Sequence, residues 1–281
     1  MLYFMKLKKG IFIISIVVLS VFSGVFYLTG RKTEVALVNF PQFQIARMVK
    51  STDGSKIRFG IYGAEDIRRI KKSDAALIFG MGLRIGDEER NFLHSLDAEK
   101  TPFVVIGATD PRNNISNLDS LRARTLVDYA SNGGTINYRS LFNYIRKELK
   151  GKDAGDIAPL IRIADDAFFH MGGERAYESL AEYESYYKGS GFYKENAPKI
   201  ALVANMIANP FTSDKDYLDS LIMNLEKRGF NLYPIYGIGR RLELLKEVSP
   251  DAVVYLAHGR LAMGYADAAA EWLGISLYLP L

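Results

Sequence analysis

Ala75-Ala-Leu-Ile-Phe-Gly-Met81 runs without a charge into Gly82-Leu-Arg-Ile-Gly86, and Glu88-Glu-Arg-Asn-Phe-Leu-His-Ser-Leu96 follows after Asp87. The first segment reads as a strand buried on both faces, the glycines as a tight turn, and the third as a helix. Phe92, Leu93 and Leu96 share one face of that helix, and Asp87 stands where a cap belongs. The same alternation continues outward. Strands are expected at 35–40, 57–62 and 103–107, and helices at 42–49 and 65–71. Strand, helix and strand at this spacing predict right-handed βαβ units on a parallel sheet.

The 281 residues carry 36 Lys+Arg against 32 Asp+Glu, three His and no Cys. Lacking Cys, the chain has no disulfide, no thiolate zinc or iron–sulfur ligand and no thiol nucleophile. The net charge of +4 invites a nucleic-acid reading, which its position removes. Lys6, Lys8, Lys9, Arg31 and Lys32 lie within the first 32 residues, which hold no acid; the rest of the chain has 31 bases against 32 acids.

Between those charges, residues 11–29 are IFIISIVVLSVFSGVFYLT. As a helix they would extend roughly 28 Å, close to the hydrocarbon thickness of a bilayer. The competing signal peptide, with cleavage after Ser23, leaves the apolar run 25–28 unexplained, so length favours an uncleaved transmembrane anchor over residues 1–32. The charge bias puts the N-terminus in the cytoplasm, and the body then lies on the periplasmic side of the inner membrane.

The soluble part divides into a first α/β unit (33–110), a helical connector (111–198) and a second α/β unit (199–281). In the connector Tyr138, Leu141, Phe142, Ile145 and Leu149 recur at helical spacing, and so do Tyr177, Leu180, Ala181 and Glu184. The second unit has strand candidates at 200–206, 232–236, 252–257 and 275–279. Residues 213–228 make the best helix, with Ser213 and Asp216 read as a capping box, Leu218, Leu221, Ile222 and Leu225 as its buried stripe and Gly229 as its stop. Further helices are expected around Leu242, Leu245 and Val248 and over 265–273. The fold class is thus two Rossmann-like or flavodoxin-like parallel-sheet units behind a membrane anchor. The close of the chain at Leu281, inside or just after a buried-type strand, reads as the front part of a longer protein.

No nucleotide fingerprint survives inspection. Gly80, Gly82 and Gly86 form GxGxxxG, one residue too long for a dinucleotide loop, and no Walker lysine follows any glycine loop. Ligand-binding candidates sit where strands of the second unit end. Asn209, Thr212 and Ser213 lead into the best helix, whose amides could receive a carboxylate such as a propionate, although ordinary capping is the favoured reading. His258 and Arg260 follow another strand, and imidazole and guanidinium suit proton transfer, metal ligation or carboxylate pairing. His170, between Phe169 and Met171, is the third candidate. For His170 and His258 a packing role is favoured over a functional one, and no two histidines share metal-site spacing. Tyr177, Tyr183, Tyr186, Tyr187 and Tyr193 could stack on a flat ligand but more often pack helices.

Three stretches together resemble the N-terminal region of the CobN/magnesium-chelatase large-subunit family: residues 73–90; Phe168-Phe-His-Met-Gly-Gly173 with Tyr177–Tyr187 after it; and Pro198-Lys-Ile-Ala-Leu-Val-Ala-Asn205 with 219–236. The likeness spans roughly 34–281 and rests on order and pattern. In the family an aromatic-His-Pro stretch precedes a helix and a strand; here Phe169-His170 matches and Met171 replaces the proline. The resemblance implies a tetrapyrrole substrate, haem or a corrinoid, and insertion or removal of a divalent metal. It implies no cofactor and no catalytic residue within this chain, since the family's chemistry is placed in the later body, here expected beyond Leu281; the chain alone is expected to be inactive. Cytosolic members work with separate ATPase subunits, whereas the anchor resembles membrane-bound CobN-like proteins of haem uptake. The rival reading is a membrane-anchored two-lobed binding protein for a small ligand, without catalysis.

Overall fold

The computed structural model describes residues 31–172, 174–204, 209–237, 239–256 and 276–278. The chain forms two compact units. One comprises the chain up to Phe40 together with Thr52–Val127 and Arg139–Ala158; the other comprises Pro41–Ser51, Asp128–Tyr138 and everything from Pro159 onward.

The first unit holds a four-stranded sheet of β1 (Thr33–Val38), β2 (Ile57–Tyr62), β3 (Ala75–Phe79) and β4 (Phe103–Ile106), all parallel and ordered β2-β1-β3-β4. That is a doubly wound order. The inner strands are buried on both faces, as apolar runs such as Val35-Ala-Leu-Val38 require. Ala36, Val38, Ala76, Ile78, Phe103 and Val105 pack on one side against Ile67, Ile70, Leu93 and Leu96.

Two local expectations are corrected here. The helix expected at 65–71 is a 3₁₀ segment, Ala64–Lys72. Its buried apolar contacts come only from Ile67 and Ile70, and an i, i+3 pair is eclipsed by three residues per turn. The helix after the glycine turn, Asp87–His94, is capped by Gly86, whose N–H donates to Glu89 Oε2 at 3.1 Å, with Asp87 inside the first turn. The turn itself has a steric cause. A Cβ on Gly80 would lie 2.7–2.8 Å from Cα, Cβ and N of Ala108, so the ends of β3 and β4 meet only over glycine.

The second unit is a five-stranded sheet ordered β5-β7-β6-β8-β9, with β5 (Ala167–Phe168), β6 (Lys199–Val203), β7 (Asn231–Tyr236), β8 (Ala252–Tyr255) and β9 (Ser276–Tyr278). Without β5 its order repeats that of the first sheet. β5 pairs antiparallel on the edge and falls in a stretch whose sequence shows no strand signal; two residues are too few to show a period.

Among the described residues the helices are α1 (Gln42–Lys50), α2 (Asp87–His94), α3 (Ser120–Asn132), α4 (Gly134–Tyr144), α5 (Leu180–Gly189), α6 (Asp216–Lys227) and α7 (Arg241–Val248), and α4 runs on into a π turn, Ile145–Leu149. In the second unit Tyr183, Tyr187, Leu244, Leu245 and Val248 cover one sheet face, and Leu218, Ile222, Phe169 and Phe211 the other.

The capping box expected at Ser213 and Asp216 is absent. Lys215 holds the cap position of α6 without a side-chain cap bond, and Ser213 is buried with no hydrogen-bond partner for its hydroxyl among the described residues. Gly229 does take the left-handed conformation expected of a stop, with φ of +99°. The 11–29 span and the 265–273 helix lie outside the described residues, and so does Leu281, at which the chain was expected to break off within or just after a strand. The strand itself is β9, and it ends at Tyr278. No helix among the described residues is long and apolar enough to cross a membrane.

Gly80→Ala is expected to destabilise the protein by about 1–3 kcal/mol, read as a lower melting temperature. Gly54→Ala, whose Cβ would meet nothing within 4 Å, should leave it unchanged.

Candidate functional site

The Phe168-Phe169-His170 segment continues β5 along the outer edge of β7. Side chains alternate, so Phe168 enters the α5 side of the sheet, Phe169 the α6 side, and His170 returns to the α5 side. Both rings of the pair are covered: Phe168 stacks on Tyr183 at 5.3 Å, and Phe169 meets Tyr236 edge-on at 6.1 Å. His170 is 2% exposed, with Tyr186, Tyr187 and Phe192 around its ring at centroid distances of 5.6, 5.4 and 5.7 Å. Its Nε2 lies 2.9 Å from Oε1 of Glu226 on α6, itself 2% exposed. A carboxylate only accepts, so the network assigns a proton to Nε2; Nδ1 meets the Tyr186 hydroxyl at 3.3 Å.

Three residues on one face of α6 hold this turn. The Lys215 amine donates to the His170 carbonyl at 3.1 Å, the Gly172 N–H donates to Asp219 Oδ2 at 3.0 Å, and Glu226 takes the imidazole. Burial pulls the Lys215 amine below its ordinary value, partly offset by Asp219, whose Oδ1 is 3.7 Å away. Beside them Arg47 of α1 pairs with Glu174 at 2.8 Å, and Glu174 Oε2 also accepts from the Thr135 N–H. The turn is thereby fixed at its carbonyl, its amide and its ring.

The model of the CobN/magnesium chelatase family matches residues 127–277, just over half of the chain. The chain belongs to the CobN/magnesium chelatase family. The catalytic subunit of cobaltochelatase from Mycobacterium tuberculosis has a similar structure, at a TM-score of 0.52 and 14% identity over 80% of this chain and 18% of that one. The likeness lies in the fold, and the chain spans less than a fifth of that subunit. An NAD-complexed D-isomer specific 2-hydroxyacid dehydrogenase from Lactobacillus delbrueckii ssp. bulgaricus aligns over 88% of this chain and 79% of its own, at 9% identity and a TM-score of 0.24. That score is too low to bear on the fold. A search of the curated proteins finds no match.

In this CobN-family chain the family match contains the whole His170 turn and α6. Of the site candidates, His258 and Arg260 lie outside the described residues. The catalytic residues that the resemblance places beyond Leu281 are likewise not among them, and none is assigned within the chain. Asn209, Thr212 and Ser213 fall between β6 and α6, apart in role from His170. The Asn209 side chain accepts from the Phe211 and Thr212 N–H groups at 2.8 and 3.4 Å, the Thr212 carbonyl accepts from the Tyr138 hydroxyl, and Ser213 is buried. Those two amides are thus occupied by the chain itself.

Asn209 also lines a cleft of about 250 Å³ with Asp165, Asp166 and Tyr236. Gly237, at φ +100°, passes so close to Asp166 that any Cβ there would collide with its carboxylate. Among the described residues no group of three or more His, Asp or Glu is placed to hold a metal ion.

Sequence reading missed Lys215, Asp219 and Glu226. Their signal is spacing: 215, 219, 222 and 226 follow the helical period, so these charges stand on the same stripe as buried Ile222. The tyrosines are mostly packing. Tyr183 donates to the Leu232 carbonyl at 2.8 Å, and the Leu232 N–H donates to the Tyr187 hydroxyl at 3.0 Å.

His170→Phe alone should strand a buried carboxylate and lower stability by about 3 kcal/mol or more. Adding Glu226→Leu should recover most of that loss in a denaturant titration. Burial also raises the tyrosines, Tyr177 to about 12 and Tyr183 and Tyr187 well above the ordinary range. A raised folded value means that the unfolded chain ionises first. The contribution of these phenols is therefore full below a free tyrosine's pKa of about 10 and is lost as pH climbs through the folded values. Urea midpoints should fall between pH 10 and about 12, together with the 295 nm phenolate signal.

Proposed function

We propose that this chain forms part of a CobN-type chelatase large subunit that binds a tetrapyrrole and inserts or removes its metal. The observation that carries this reading is the family match over residues 127–277, and the cobaltochelatase-like fold supports it. The chain contributes part of the wall of a tetrapyrrole cleft, and the His170 turn fixes the geometry of the second unit. The exchange is cobalt insertion into a corrinoid or iron removal from haem. The apolar span at 11–29, with bases at both ends, supports an anchor in the cytoplasmic membrane with the N-terminus inside and the body outside. With that topology the haem reaction is the better fit, because a cytosolic ATPase subunit cannot reach the body; ATPase partners belong to the opposite topology.

The test is a Soret titration of the full-length membrane-embedded protein with haem, followed over time beside a cobalt-free corrinoid supplied with Co²⁺. A shifted Soret band with loss of iron, or cobalt uptake by the corrinoid, bears out the chelatase. Saturable binding with unchanged metal content overturns it in favour of a binding protein, and no spectral change overturns tetrapyrrole recognition altogether.

A further inference from the structure

The first unit carries an opening that the reading above does not use. At the carboxyl ends of β3 and β4 lies a cleft of about 900 Å³, within the size range of small-molecule sites. The switch point of the sheet, between β1 and β3, is itself filled. Asn39, at φ +59°, donates through Nδ2 to the Phe79 and Met81 carbonyls at 2.8 and 3.3 Å. The opening is therefore displaced by one strand, to the gap between the turns that follow β3 and β4.

Its polar lining is dominated by three guanidiniums, Arg84, Arg90 and Arg112, against the carboxylates of Asp87 and Asp110. Two of the three are held in place. Arg112 folds back on Asp110, with Nη2 to Oδ2 at 2.7 Å and Nε to both oxygens at 3.1 Å. Arg90 ties α2 to the same turn, donating to the Asn113 side chain at 2.8 Å and the Arg112 carbonyl at 3.3 Å. These bonds leave Arg90 Nε and Arg112 Nη1 without a partner among the described residues. Arg84 makes no hydrogen bond or ion pair there at all. The arrangement is two braced arginines and one uncommitted one around a cleft with a net positive charge. Leu83 and Ile85, half-buried against the core of the sheet, give the same cleft an apolar side.

The geometry points to a binding site for a small organic anion, whose carboxylate or phosphate group meets Arg84 and the free edges of Arg90 and Arg112. Guanidinium forks suit both oxyanions, because two parallel N–H donors match two oxygens. The apolar side takes the body of the ligand. Bare nucleotide binding is disfavoured, since the glycine turn has neither the dinucleotide spacing nor a Walker lysine. The site stands or falls independently of the tetrapyrrole reading, as it lies wholly within the first unit.

Calorimetric titration of the full chain with inorganic phosphate, and separately with benzoate, tests the site. Saturable binding of either is expected, and whichever binds identifies the head group. Arg84→Ala should weaken that binding by about tenfold, with Arg84→Lys in between. Arg122→Ala, an exposed charge paired with Asp119, should bind like the wild type. Because Arg84 is exposed and makes no bond, its loss should leave the circular dichroism spectrum and melting temperature unchanged. No saturable binding of either anion, or equal affinity in Arg84→Ala and wild type, overturns the proposal.

Discussion

The second unit depends on how one helix grips a turn of three residues. Lys215 at the cap of α6, half-buried Asp219 and buried Glu226 lie along the line of Ile222, and each satisfies a different group of the His170–Gly172 turn. Charged groups in such a place are costly unless every one finds a partner. What they gain in exchange is direction: an apolar stripe would accept the turn in several registers, while these bonds admit one. Glu226 also reaches round the edge of the sheet. His170 packs among the tyrosines of α5, so the pair joins the helical layers on the two faces of β5 and β7.

Much of the architecture was legible because parallel sheets announce themselves. A strand buried on both faces has to be apolar throughout, and residues 35–38 and 75–79 leave no other reading. The repeated strand order of the two sheets was visible only as a loose doubling of the pattern. The local errors have a common origin. Ser213 and Asp216 have the identities of a capping box, but Ser213 is drawn into the interior and the helix starts later. The spacing of Ile67 and Ile70 is compatible with α and 3₁₀ geometry alike, and the structure adopts the tighter form.

The candidate site was legible in part. His170 stood out by its chemistry, yet its charged hydrogen-bond partners, Lys215 and Glu226, come from 45 and 56 residues further along the chain. Pair interactions over such separations leave no local trace. Lys215, Asp219 and Glu226 were passed over, because a helical stripe read from hydrophobicity discounts any charge on it. The arginine cleft was hidden for a different reason. Its members come from the segments after β3 and β4, brought together by the contact of Gly80 with Ala108, a steric fact invisible in a motif that fails its nucleotide test.

Pro234 in β7 sets where β5 stops. The register places it opposite Phe169, whose N–H donates to the Pro234 carbonyl at 3.0 Å. In an antiparallel ladder such a pair should exchange two bonds, and proline has no N–H to return the second. The ladder is thus cut at this rung, and the chain is released from the plane of the sheet just as it reaches His170. One hydrogen-bonding rung further, the exposed edge would offer the Leu232 amide and carbonyl to any passing strand. Tyr187 and Tyr183 occupy both with their hydroxyls. Two phenols therefore do the work of a missing strand, and they leave that side of the sheet closed to β-augmentation and to edge-on self-association.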